Sequence, residues 1–141
     1  YTWGPGKHSQ MQCDMSVMIS PQLFQEFIVP ELEQQSSWMD YALYHFDGID
    51  QIKHLDMLLS LKDLKMIQWT HVAGQPSPVE YIPVLQKIQK AGKGLVIITN
   101  PQEFETLMEN LSSKGLYLLI EADSEEQADD ILKRIGELTH D

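Results

Sequence analysis

The sequence predicts an α/β fold with parallel strands, on three observations. Short apolar strands alternate with amphipathic segments, the unit recurs roughly every 25–30 residues, about one βαβ step, and helix-capping residues fall just after or between the strands. Four stretches read as strands: Tyr41–Phe46, Lys65–Thr70, Leu95–Thr99 and Leu116–Glu121. A further extended stretch runs over Met11–Ile19. Leu95–Val96–Ile97–Ile98 is apolar on both faces, which requires cover on both sides. A barrel with an outer helical ring and a doubly wound open sheet both provide it, and periodicity does not separate them.

The helices are marked by chemistry as well as by period. Ser20 supplies an N-cap and Pro21 suits the first helical position, with Leu23, Phe24, Phe27, Ile28 and Leu32 as the apolar face and Pro30 as a kink. Ile52, Leu55, Leu58 and Leu59 form the stripe of the next helix, which starts just after Gly48. Ser77 and Glu80 have capping-box spacing before Ile82, Leu85 and Ile88; Pro83 delays the start and Gly92 ends the helix. Asn100, Pro101 and Glu103 repeat that logic ahead of Phe104, Leu107, Met108 and Leu111, with Gly115 beyond. Ser124 and Gln127 do so again ahead of Ala128, Ile131, Leu132, Ile135 and Leu138.

Composition narrows the function. The chain has 141 residues, 43% hydrophobic and 22% charged, an ordinary globular mixture and one domain's worth of core. Ten basic against 21 acidic residues give a formal charge of -11. That balance, with no basic patch, argues against nucleic acid and anionic lipid as partners. The apolar runs are too short to cross a bilayer. Cys13 is the sole cysteine, so no intrachain disulfide forms and a reducing, cytoplasmic setting is expected. The chain starts at Tyr1, not at a methionine, and reads as one partial domain, residues 1–141, of something longer. Gly74–Gln75–Pro76 reads as a loop inside one unit.

In folds of this kind, functional groups gather where strands end. His45 and Asp47 lie two apart on an extended segment, so their side chains share a side. An imidazole beside a carboxylate can hold a proton for acid–base work, which makes His45 and Asp47 the catalytic candidates. The same two, with His71 from the next strand, form a possible metal set. The plainer alternative makes Asp47 the cap of a helix starting near Ile49 and His45 a hydrogen-bonded core histidine. Gln68 and Thr70 share one strand face and, with Asn100, are the substrate-binding candidates. Trp69 reads as packing against helices, and Asp14 and Ser16 as further residues near the strand ends. His8, His54 and His140 read as surface residues. No Gly-rich phosphate loop, Cys-x-x-Cys pair, His-Glu-x-x-His helix or Gly-x-Ser-x-Gly elbow occurs.

Three stretches carry a family resemblance: Ile19–Ser20–Pro21–Gln22–Leu23–Phe24–Gln25–Glu26–Phe27–Ile28–Val29–Pro30, Tyr44–His45–Phe46–Asp47–Gly48 and Ile67–Gln68–Trp69. Together they resemble the uroporphyrinogen decarboxylase-like superfamily, which includes porphyrinogen decarboxylases and corrinoid-dependent methyltransferases. The resemblance implies a (β/α)8 TIM barrel, of which this chain supplies the C-terminal half. It implies methyl transfer of the corrinoid type, or decarboxylation (a lyase activity) of a porphyrinogen-like substrate at the barrel mouth, and a divalent metal or a corrinoid as the possible cofactor. The methyltransferases bind zinc through a His-x-Cys-Gly segment and a later cysteine; here His45 is kept, Asp47 takes the thiolate's place and no later cysteine exists. The decarboxylases hold their catalytic arginines and principal aspartate in the other half. The expectation is therefore a fragment that acts on a small molecule only within its parent enzyme. The alternative is a non-catalytic half-barrel that pairs with itself or with a separate N-terminal half.

Overall fold

A computed structural model describes residues 2–71 and 74–140. Five strands alternate with helices along the chain, which divides into two compact units, Tyr1–Gln75 and Pro76–Asp141. The division falls between Gln75 and Pro76, in a segment the sequence presents as a loop inside one unit.

The first unit is a three-stranded parallel sheet in chain order. Strand β1 (His8–Gln12) pairs with β2 (Tyr41–Phe46), and β2 pairs with β3 (Leu64–Trp69). The expected extended stretch over Met11–Ile19 is corrected: β1 ends at Gln12, and a 3-10 helix spans Asp14–Met18. Right-handed crossovers between strands in consecutive order place both connecting helical segments on one face of the sheet. On that face Tyr44, Phe46, Ile67 and Trp69 are at most 1% exposed, and Phe24, Leu32, Leu55 and Leu58 of the connecting segments are buried as well. The other face carries Gln10, Leu43 and Met66 in one row and Gln12, His45 and Gln68 in the next, with Gln10 and Gln12 exposed.

The first crossover departs from a regular helix in an informative way. Ser20 Oγ accepts from the Leu23 N–H at 3.3 Å, and Pro21 opens the short helix α1 (Pro21–Leu23). A π-helical turn over Phe24–Ile28 follows, and only then α2 (Val29–Trp38). The turn joins the Val29 N–H to the Phe24 carbonyl, five residues back, and absorbs Pro30, which has no N–H of its own. The buried stripe therefore steps from Phe24 to Val29, Leu32 and Ser36. Leu23 and Phe27, expected inward, are exposed (44% and 59%) because the extra residue rotates the faces.

After β2 the chain again tightens first, with a 3-10 helix over Gly48–His54 where a full α-helix is expected, and α3 covers only Leu55–Ser60. Gly48 makes the turn possible. Its φ is +60°, and a Cβ there would lie 2.9 Å from the Thr70 carbonyl oxygen and against the Gln75 side chain.

The second unit holds α4 (Ile82–Lys90), β4 (Gly94–Thr99), α5 (Phe104–Asn110), β5 (Leu116–Ile120) and α6 (Glu125–Leu138). Strands β4 and β5 pair in parallel. Ser77 Oγ accepts from the Val79 N–H, opening a 3-10 turn over Pro78–Tyr81 that delays α4. Ser124 Oγ caps α6 through the Gln127 N–H. Phe104 and Met108 of α5 and Ile131 of α6 pack together with Leu116, Leu118 and Ile120 on one sheet face. On the opposite face Ile98 and Tyr117 are 39% and 42% exposed. Among the described residues no helix is long and apolar enough to cross a membrane.

Two consequences are measurable by chemical denaturation. Phe24→Ala should cost about 3–5 kcal/mol, whereas Leu23→Ser and Phe27→Ser should each stay within about 0.5 kcal/mol of wild type. Gly48→Ala should cost about 1–3 kcal/mol, because it combines a left-handed backbone with a close approach to Thr70.

Candidate functional site

The carboxyl ends of β2 and β3 bring four of the expected residues together. Parallel register sets His45 opposite Gln68 and Phe46 opposite Trp69, and the Thr70 N–H continues the ladder to the Phe46 carbonyl at 2.9 Å. His45 and Asp47 leave β2 on the same side, and Gln68 and Thr70 leave β3 on that side too. His45 Nε2 lies 3.1 Å from Asp47 Oδ1. Its Nδ1 lies 3.2 Å from Gln68 Oε1 and 3.2 Å from Thr70 Oγ1. Gln68 is buried, and the partner its amide needs is His45 itself.

These contacts constrain protons. Thr70 Oγ1 can donate to Nδ1 or accept from it, and the Gln68 amide can present either its oxygen or its nitrogen, so both imidazole tautomers are compatible with these contacts. At 3.1 Å a hydrogen lies between His45 Nε2 and Asp47 Oδ1, as an Nε2–H donating to the carboxylate or as a carboxylic acid donating to the imidazole. Burial pushes the Asp47 carboxyl above its ordinary value; His45 pulls it back and Asp14 raises it again. A carboxyl with raised proton affinity beside an imidazole is suited to give and take that proton.

Asp47 occupies the position before the 3-10 helix, but its side chain does not cap it. Oδ1 faces His45, and Oδ2 accepts from Gln51 Nε2 at 2.9 Å. Gln51 also accepts the Asp47 N–H at 3.2 Å and donates to the Cys13 carbonyl at 3.3 Å. Nothing in the sequence marks Gln51, which sits among polar residues in a segment read as an amphipathic helix; only the 3-10 winding turns it inward, fully buried.

The loop after β1 joins the site through the same helix. Gln51 reaches the Cys13 carbonyl, His54 Nε2 meets the Ser16 carbonyl at 2.9 Å, and Lys53 Nζ reaches the Val17 carbonyl at 2.8 Å. Asp14 is exposed and near enough to act on Asp47. Ser16 is buried on the helix-covered side, with its side chain facing the Tyr44 hydroxyl. Burial pushes the Tyr44 phenol and the Cys13 thiol up, which keeps both protonated.

Other expectations are corrected. His54 is no surface residue: it is fully buried and stacked on Phe24 at 4.2 Å between ring centres, because the 3-10 turn directs it under the β1 loop. His8 is half-buried and bonded to Thr2 and to the Tyr41 carbonyl; His140 is exposed as expected. His71 turns away to the Gln75 carbonyl at 2.7 Å. Among the described residues no three His, Cys, Asp or Glu side chains group to hold a metal ion, so the set His45, Asp47 and His71 does not assemble. Asn100 belongs to the second unit, where Oδ1 accepts from the Gln102 N–H at 2.9 Å in the turn leading to α5. Trp69 packs inward, 5.6 Å from the Phe46 ring centre.

Fold and site together define an α/β protein with parallel strands and a half-buried, hydrogen-bonded polar cluster at their carboxyl ends. No protein-family model matches the chain, no curated protein is significantly similar to it, and no solved structure matches it significantly.

His54 supplies a pH dependence with a definite sign. Burial lowers its proton affinity, the Ser16 carbonyl offsets this in part, and Lys53 lowers it further. The folded chain then binds this proton less readily than the unfolded chain. Its contribution to stability is complete above the ordinary value of 6.5 and is lost as pH falls from there through the lower value it has in the folded chain. Thermal unfolding from about pH 7 to about pH 5 should show a fall in midpoint that is smaller in His54→Gln. Equal slopes in the two proteins would assign the fall to other groups.

Proposed function

We propose that the chain forms the C-terminal half of a uroporphyrinogen decarboxylase-like (β/α)8 barrel. At the barrel mouth His45 and Asp47 exchange a proton with a small substrate while Gln68 and Thr70 hold the imidazole. The reaction is methyl transfer of the corrinoid type or, second, decarboxylation of a porphyrinogen-like substrate. The observation that carries this reading is the 3.1 Å His45–Asp47 contact at the carboxyl ends of parallel strands. Consecutive strand order in the first unit, and helices on one sheet face with polar groups on the other, are what an arc of such a barrel needs.

The zinc site of the methyltransferases that the chain resembles does not fit these residues. Asp47 stands where they carry a thiolate, both its oxygens are engaged within the chain, and His71 is turned away. No step is assigned to a metal, and the acid–base role rests on His45 and Asp47 alone.

A second reading, an assembly module, draws on the partly exposed apolar side chains Ile98 and Tyr117. Light scattering tests it: a monomer at micromolar concentration argues against self-association and against a half-barrel with open edges alike.

In the protein that contains this chain, His45→Gln and Asp47→Asn should each lower turnover by about 10²–10⁴-fold while circular dichroism stays unchanged. Assays of methyl transfer from a methylated corrinoid and of porphyrinogen decarboxylation decide between the chemistries. Full turnover in both variants would remove the pair from the reaction.

A further inference from the structure

We infer that Gln51 is a positioning residue for Asp47: its amide occupies Oδ2 and leaves Oδ1, facing His45, as the oxygen that shares the proton. This inference rests on the acid–base reading of the pair.

The grip is unusually complete for one side chain. Gln51 Oε1 accepts the Asp47 backbone N–H at 3.2 Å, while Nε2 donates to Asp47 Oδ2 at 2.9 Å. One amide thus holds both the main chain and the carboxylate of the same residue, which fixes the side-chain torsions between them. The second contact of Nε2, to the Cys13 carbonyl at 3.3 Å, ties this clamp to the loop after β1. Gln51 is 0% exposed, so no water competes for these bonds at its own surface.

The chemistry of the amide matters as much as its reach. A carboxylate in that place would face Asp47 with like charge and would have no hydrogen to offer Oδ2. A lysine or arginine would hold Oδ2 with a full positive charge and make Asp47 a much poorer proton acceptor. A neutral donor directs the proton without removing the basicity the pair needs. The nearby cation is spent elsewhere, since Lys53 Nζ is engaged by the Val17 carbonyl at 2.8 Å.

Two substitutions test the clamp. Gln51→Met keeps the length and apolar stem but removes both polar ends. Gln51→Glu keeps an acceptor for the Asp47 N–H and replaces the donor to Oδ2 by like charge. The Asp47 carboxyl carbon, assigned by carbon-13 NMR through its loss in Asp47→Asn, is followed against pH. Both substitutions should move its titration upward, and kcat should fall about 10- to 100-fold with KM little changed. A folded Gln51→Met or Gln51→Glu protein in which Asp47 titrates as in wild type overturns the inference, whatever its turnover. Should Gln51→Met fail to fold, Gln51→Glu decides alone. The two proposals also fail separately. A shifted Asp47 titration together with full turnover in Asp47→Asn upholds the clamp and overturns the acid–base role it serves.

Discussion

Parallel pairing along β2 is the constraint from which the site follows. A strand paired on both edges cannot slide, because a shift of one residue would send Tyr44 and Phe46 to the wrong face. With the register held, His45 must stand beside Gln68, and the chain must leave both strands at the same end. The polar cluster is therefore positioned by apolar residues that take no part in it. Tyr44, Phe46, Ile67 and Trp69 keep the sheet pressed to its helices, and the opposite face inherits a fixed spacing.

From that framework the 3-10 helix at Gly48–His54 reaches out to the neighbouring loop. Three of its side chains, Gln51, Lys53 and His54, bind the carbonyls of Cys13, Val17 and Ser16, so the segment after β1 is held to this helix through its own main chain. A regular α-helix would distribute those side chains at a different angle per residue. The tighter winding and the left-handed Gly48 that starts it are thus connected to the site chemistry as directly as His45 is.

Much of this was legible in the sequence, for identifiable reasons. Strands β2 to β5 stood out because their apolar runs are short and bounded by turn residues, and their limits shift by at most one residue in the structure. Ser20 and Ser124 cap as read, since an N-cap depends on local geometry alone. His45, Asp47, Gln68 and Thr70 were reachable because side-chain alternation along a strand has a rigid period. Four of the misses share a cause. Gln51 and His54 lie in a 3-10 helix, and Leu23 and Phe27 flank a π turn, so a period of 3.6 residues assigns their faces wrongly. Asn100 was placed by its position after a strand, yet its side chain serves its own turn.

The π turn bears on how this segment can change over evolutionary time. Exposed positions such as Leu23 and Phe27 can accept many side chains, because little rests on them. Chain length there has no such latitude. Each residue gained or lost between Phe24 and Val29 would rotate everything beyond it by about 100°, carrying Leu32 and Ser36 out of the interior. Drift in composition is tolerated along this stretch, while a single-codon insertion or deletion would be felt across the whole face of α2.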